Sequence, residues 1–194
     1  MNNLKTLILS IMAAAVVGCQ QAPETFFENI NVGDNVETCM AKGAVRYQNG
    51  YDYKLANNYI ADSFFTYNNV KFDSQNIINE VKMSIHRKDD ASAAKDLFSF
   101  MTQYFCQRYS GMKTNKISEE KTAENGQIVY NQDRVTNTWE TDRIRIILTS
   151  YHNTLISYPR NVASSNGAVV FNWTADIAEN DIKGSFVELK ICAK

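Results

Sequence analysis

The chain holds only two histidines, His86 and His152, and no paired Cys/His spacing, which excludes a finger-type zinc site. It has no Gly-x-Ser-x-Gly elbow, no phosphate-cradling glycine loop and no calcium loop, so no hydrolase, nucleotide or cation motif is visible. Charge of one sign is also lacking. With 20 basic and 21 acidic residues there is no basic footprint for nucleic acid and no polybasic stripe for anionic lipid. Nor is any apolar run long enough to cross a bilayer: Leu7 to Val17 falls well short of the roughly twenty residues required.

What is present begins at that short run. Lys5 precedes it, and Val16-Val17-Gly18-Cys19 closes it, giving a charged start, an apolar segment and a small residue before a cysteine. The segment resembles the signal of bacterial lipoproteins. The resemblance implies cleavage before Cys19, a diacylglycerol on its thiol and an acylated new amino terminus. The alternative is an ordinary secretory signal cleaved nearby, with Cys19 left as a plain thiol. Residues 19–26, starting Cys-Gln-Gln-Ala-Pro, read as a lipidated polar tether. The resemblance further implies an outer-membrane address, because Gln20 stands where an Asp favours inner-membrane retention. The partners expected are the membrane, through the anchor, and an envelope protein.

Loss of residues 1–18 removes Lys5 and no acid, moving the formal charge from −1 to about −2. Residues 27–194 suit a single α+β domain, and 44% hydrophobic residues supply its core. Three cysteines remain in an oxidising compartment, enough for one disulfide and one leftover thiol. Cys39 and Cys106 are the favoured pair, since Cys192 alternates with Glu188 and Lys190 on the polar phase of its strand.

Asp34 and Glu37 at capping-box spacing, followed by Val36 and Met40 on one face and a stop at Gly43, predict a short helix. A meander follows, with strands near 51–60, 63–72 and 77–86 and a tight turn at Asn49-Gly50. Ser92 opens a second helix, with Leu97, Phe98, Met101 and Phe105 on one side and a stop near Gly111. Strands near 115–121, 128–140, 143–151, 155–158, 168–177 and 185–192 complete the chain, with further turns at Asn125-Gly126 and Asn166-Gly167. The expected fold is therefore two helix-then-antiparallel-meander halves, 33–90 and 91–194, with helices packed on antiparallel sheet.

That plan resembles two exported families. Val32-Gly33-Asp34 with Val36 and Met40 is similar to the glycine turn opening a helix in the small lipoprotein of the barrel-assembly machinery. The helix-first order from Asp34 and again from Ser92 resembles the tandem halves of β-lactamase inhibitor protein. Both likenesses imply a protein-binding surface, and the lack of a glycine-rich or calcium loop leaves no cofactor implied.

Among individual residues, His86 reads as an exposed strand end and His152 as part of a turn. Glu119-Glu120 and Asp89-Asp90 point to opposite faces and read as solvated surface. Arg143 and Arg145 share a phase, but Glu140 and Asp142 lie close enough to make an ion pair the better reading. Asn172-Trp173-Thr174 matches a eukaryotic glycosylation acceptor, which has no default meaning in a bacterium. The richest candidate is a tyrosine set: Tyr51, Tyr53 and Tyr59 on one phase, with Tyr47 across the turn. It suits a binding patch, but a core face with hydroxyls at its rim is the better reading, because the opposite phase holds Asp52, Lys54 and Asn58, as a solvent face should. The function expected is that of a non-enzymatic, membrane-anchored protein-binding or envelope accessory module. The alternative is an inhibitor or immunity protein that blocks a hydrolase or toxin.

Overall fold

Alternation of apolar and polar residues, one face in and one face out, builds most of this molecule. The computed structural model describes residues 30–48, 52–57, 59–60, 63–124, 126–159 and 173–194. Its strands in chain order are β1 (Val45–Gln48), β2 (Asp52–Leu55), β3 (Tyr59–Ile60), β4 (Ser63–Phe64), β5 (Tyr67–Phe72) and β6 (Ile78–Arg87), then β7 (Lys113–Thr122), β8 (Val129–Glu140), β9 (Ile144–Ser157) and β10 (Gly184–Ala193). The helices are α1 (Val36–Ala41), α2 (Ala91–Cys106) and α3 (Trp173–Ile177), the last running into a π-helical turn at Ala178–Ile182.

Eight strands form one antiparallel sheet in the order β1-β2-β5-β6-β10-β9-β8-β7, while β3 and β4 make a separate hairpin. This overturns the expected pair of halves. The last strand, β10, sits between β6 and β9, with Leu189 opposite Met83 on one side and Leu148 on the other. Strands from both expected halves thus share one sheet. The physical reason is burial. Val187, Leu189 and Ile191 are all buried, and a position between β6 and β9 pairs both backbone edges of β10 while setting this apolar phase in the middle of the face that the helix covers. The tandem plan behind the likeness to β-lactamase inhibitor protein is therefore absent.

One face of the sheet is the core. Val70, Val81, Ile191, Ile146 and Trp139 follow one another across five strands in register, and all are buried. Helix α2 covers this face, with Ala94, Met101 and Phe105 buried beneath it. The Phe105 ring lies 5.3 Å from that of Trp139. Asn137, also buried, ties helix to sheet: it accepts from Thr114 at 2.8 Å and donates to Thr102 at 3.0 Å. A buried amide is tolerated where both its ends are matched in this way.

The two helix starts were shifted by a residue or two from their expected positions. Asp90 caps α2, accepting from the Ala93 amide at 2.8 Å, and the helix ends at Cys106 rather than near Gly111. In α1 the cap is Asn35, because the Asp34 carboxylate already accepts from the Asn31 amide at 2.7 Å. That places Val36 and Cys39 inward and leaves Met40 exposed, against the expected Val36/Met40 face. Strand β9 runs unbroken through His152, so no turn lies there. Trp173–Ile177, expected to end a strand, is helical.

All three described cysteines are free thiols, and the expected Cys39–Cys106 bridge is not formed. Cys39 is buried under α1, 4.0 Å from the Asp34 carboxylate. Burial, with Asp34 adding to it, pushes its thiol pKa up. Cys106 is exposed at the end of α2 and meets Met112 instead, at 3.6 Å. Cys192 stands on the polar phase of β10, as its alternation implies, with its sulfur 3.6 Å from the Arg145 carbonyl.

Candidate functional site

The face of the sheet opposite α2 carries the other phase of every strand. In β6, β10 and β9 that phase places His86, Phe186 and Tyr151 directly opposite one another. Adjacent strands lie about 4.8 Å apart, close to the stacking distance of aromatic rings. The three rings accordingly stack. His86 and Phe186 are 3.9 Å apart and 6° from parallel, and Phe186 and Tyr151 are 4.7 Å apart and 12° from parallel. Arg134 on β8 continues the row beside Tyr151, and its guanidinium lies 3.7 Å from Glu119.

Alongside this ladder runs a groove of about 530 Å³ over β8, β9 and β10. Its floor includes Gln132 and Asn153, both buried, with the Gln132 amide donating to Asn153 at 3.0 Å. Asn153 in turn donates to the Ile182 carbonyl at 2.9 Å, fastening the π-helical turn to the sheet as the groove's rim. His86 Nε2 lies 2.8 Å from the Lys183 carbonyl and holds the same turn from the other side. Thr136 and Thr149, 3.3 Å apart, line the next row.

The groove is polar but not strongly charged. Glu188 is paired with Lys82 at 2.7 Å, and Arg134 is balanced by Glu119. Burial pushes the Tyr151 hydroxyl pKa up to about 12, with Glu188 and Tyr130 adding to the effect. Tyr151 therefore stays a neutral hydroxyl at physiological pH. The arrangement offers amide, hydroxyl and ring-edge contacts on a concave surface, which suits recognition.

The tyrosine set expected from sequence is divided by the structure. Tyr53 packs against the core, 4.8 Å from the Phe72 ring, and its neighbour Leu55 is buried, as the core-face reading requires. Tyr47 stands across from it, 4.9 Å away and 52% exposed. Tyr51 lies outside the described residues, as do Cys19, the Asn49-Gly50 and Asn166-Gly167 turns and Asn172. Tyr59 is placed in β3 by its backbone alone. The aromatic surface is thus the His86–Phe186–Tyr151 ladder, which sequence reasoning missed. One signal was available: Phe186 shares its phase with Glu188 and Lys190, an aromatic ring where the pattern calls for a polar residue.

His152 makes one further contact, from Nδ1 to the Ser185 hydroxyl at 2.8 Å, with Asp133 opposite it in register. This row lies on the phase opposite the ladder. Ser185 is buried within a regular strand, and the Asp133 carboxylate is taken up by the Ser118 hydroxyl at 2.6 Å. The serine lacks the exposed, strained turn that presents a nucleophile. The expected ion pair beside Glu140 forms, from Arg145 at 2.6 Å. Among the described residues no cluster of metal-ligating side chains occurs, and no helix is long and apolar enough to cross a membrane.

Comparison with protein-family models, with curated proteins and with solved structures found no match. The functional reading therefore rests on the chemistry of the groove and on the sequence.

Proposed function

We propose that this chain is a bacterial lipoprotein, anchored through Cys19 in the outer membrane, and that its folded part is a non-enzymatic protein-binding module of the cell envelope. The observation that carries the reading is the sheet face left uncovered among the described residues: a concave groove bordered by a three-ring ladder, with Arg134 and Glu188 of its lining already ion-paired. A surface of this kind receives a partner's projecting segment. An inhibitor that blocks an enzyme's cleft works the other way round, with its own projecting loop, so the concave face favours the accessory module over the inhibitor. The anchor adds effective concentration, so a weak intrinsic contact suffices against a membrane-bound partner.

Two experiments test the reading. A Cys19→Ser variant is expected to lose its acyl mass and leave the membrane fraction; unchanged fractionation, with no acyl mass on the wild type, removes the lipoprotein claim. A photoreactive residue at position 149, inside the groove, is expected to capture an envelope protein in living cells, while one at position 95 on α2 is not. Equal capture from both positions, or capture of one soluble hydrolase from position 149, overturns the accessory reading.

A further inference from the structure

The sheet ends at β7, and among the described residues no strand pairs with its far edge. Such an edge is a row of open backbone donors and acceptors, usually protected by shortness, bulges or charge. Strand β7 is ten residues long and runs against β8 without a register shift, so charge is its remaining protection. The arrangement of that charge is specific. Lys116 and Glu120 are exposed, and among the described residues neither has an ion-pair partner. They sit symmetrically about Ser118.

We propose that β7 is a homodimer interface: two copies of this chain pair antiparallel, edge to edge, about a twofold axis through Ser118, joining two eight-stranded sheets into one. A twofold axis normal to the sheet keeps each face on its own side, so facing residues must share a strand phase. Centred on Ser118, Lys116 of each copy faces Glu120 of the other, Thr114 faces Thr122 and Asn115 faces Lys121. No like charges meet. The neighbouring registers do not share this property. Centring on Ile117 sets Lys113 against Lys121 twice, and centring on Glu119 sets that carboxylate against itself. Opposite charges directly across a strand pair stabilise it and like charges destabilise it, so the pattern selects one register. The symmetry doubles each contribution, because an isologous interface uses every pair twice.

The test uses the full-length chain purified in detergent, with its mass measured by light scattering over a concentration series. The expected result is the mass of two chains. Lys116→Glu is expected to weaken dimerisation by about tenfold or more, and the charge exchange Lys116→Glu with Glu120→Lys to restore it. Both positions are exposed, so the fold is kept. Single-cysteine substitutions oxidised in the native membrane supply a second readout. Ser118→Cys is expected to crosslink to its own copy above the background of the parent chain, and Lys116→Cys alone is not. A monomer at every concentration, a dimer indifferent to the single charge reversal, or crosslinking at position 116 but not 118 overturns the proposal.

Discussion

The two faces of the eight-stranded sheet are made by the same strands at the same spacing, yet they do different work. On the α2 side, Val70, Val81, Ile191, Ile146 and Trp139 form a continuous apolar row, closed over by Met101 and Phe105. On the other side the same strands present His86, Phe186 and Tyr151, then Ser84, Glu188 and Thr149, then Lys82 and Lys190. Burial makes the first face intolerant of change. Partial exposure leaves the second with rings and polar groups that solvent or a partner can reach. Stability and recognition are thereby separated by one residue of strand phase.

The sharpest way to break the comparison is at its most buried point. Trp139 is fully buried, and its indole nitrogen is a buried polar atom without a hydrogen-bond partner among the described residues. Trp139→Ala should cost about 3–5 kcal/mol of unfolding free energy in urea titration, by emptying the space beside Phe105. Trp139→Phe should cost clearly less, since it keeps a ring against Phe105 and removes the unmatched N–H. Equal losses for the two variants would mean that packing against α2 is not what the residue supplies.

Gly184 tests how β10 enters between its neighbours. Its φ is +112°, and an added Cβ would lie 2.8 Å from both the Cα and the carbonyl oxygen of Lys88. That contact is with backbone and cannot be relieved by a side-chain rotation. Gly184→Ala should therefore destabilise by about 1–3 kcal/mol, affecting both faces at once. A neutral result in the same titration would show that the β10 entrance is not fixed by this close approach.

On the open face the expected stability losses are smaller and the functional ones larger. Phe186 is the middle ring of the ladder, so Phe186→Ala unstacks both His86 and Tyr151. A cost of about 1–2 kcal/mol is expected from the two lost ring contacts and the reduced burial. Capture of a partner from position 149 should fall much further than this stability loss can explain. Loss of stability with partner capture intact would make the ladder structural and move the recognition surface elsewhere.

How much of this was legible in the sequence follows from the same geometry. Phase was legible: Val81, Met83 and Ile85 facing one way, and Lys82, Ser84 and His86 the other, are as the alternation reads. Strand adjacency was not. Nothing in the local pattern of residues 185–192 says that β10 pairs with β6 and β9, and that pairing overturned the two-half plan. The ladder was hidden for the same reason, because His86, Tyr151 and Phe186 become neighbours only through register across three strands. The tyrosine set was legible as one phase, but its fate depended on what covered it. Tyr53 faces the core, where Asn68 bonds the backbone of Leu55 through both ends of its amide, at 2.7 and 3.3 Å. Helix starts were read to within two residues because capping is local, and the error at Asp34 arose from a competing bond to Asn31, whereas α2 ends at Cys106, well before the expected Gly111.

The smallest effect lies at the charged end of the open face and depends on pH. Glu80 receives Lys190 Nζ at 2.5 Å and Lys71 Nζ at 3.0 Å, and its side chain is 13% exposed. Burial alone would raise its pKa, but the hydrogen bonds from Lys190 and then Lys71 outweigh it and hold the carboxyl below its ordinary value of 4.5. A carboxylate depressed on folding stabilises the native state above its unfolded pKa, and that contribution is lost as pH falls through the folded pKa. Glu80→Gln should therefore cost about 1 kcal/mol near neutral pH and progressively less below about pH 4. The check is the gap between the two urea midpoints, measured across that range. A gap that stays constant with pH would mean that Glu80 acts through packing or neutral hydrogen bonds. The open face would then hold its shape without its ion pairs, and the division between an apolar stabilising face and a polar recognition face would be sharper than the Lys82–Glu188 and Lys190–Glu80 contacts suggest.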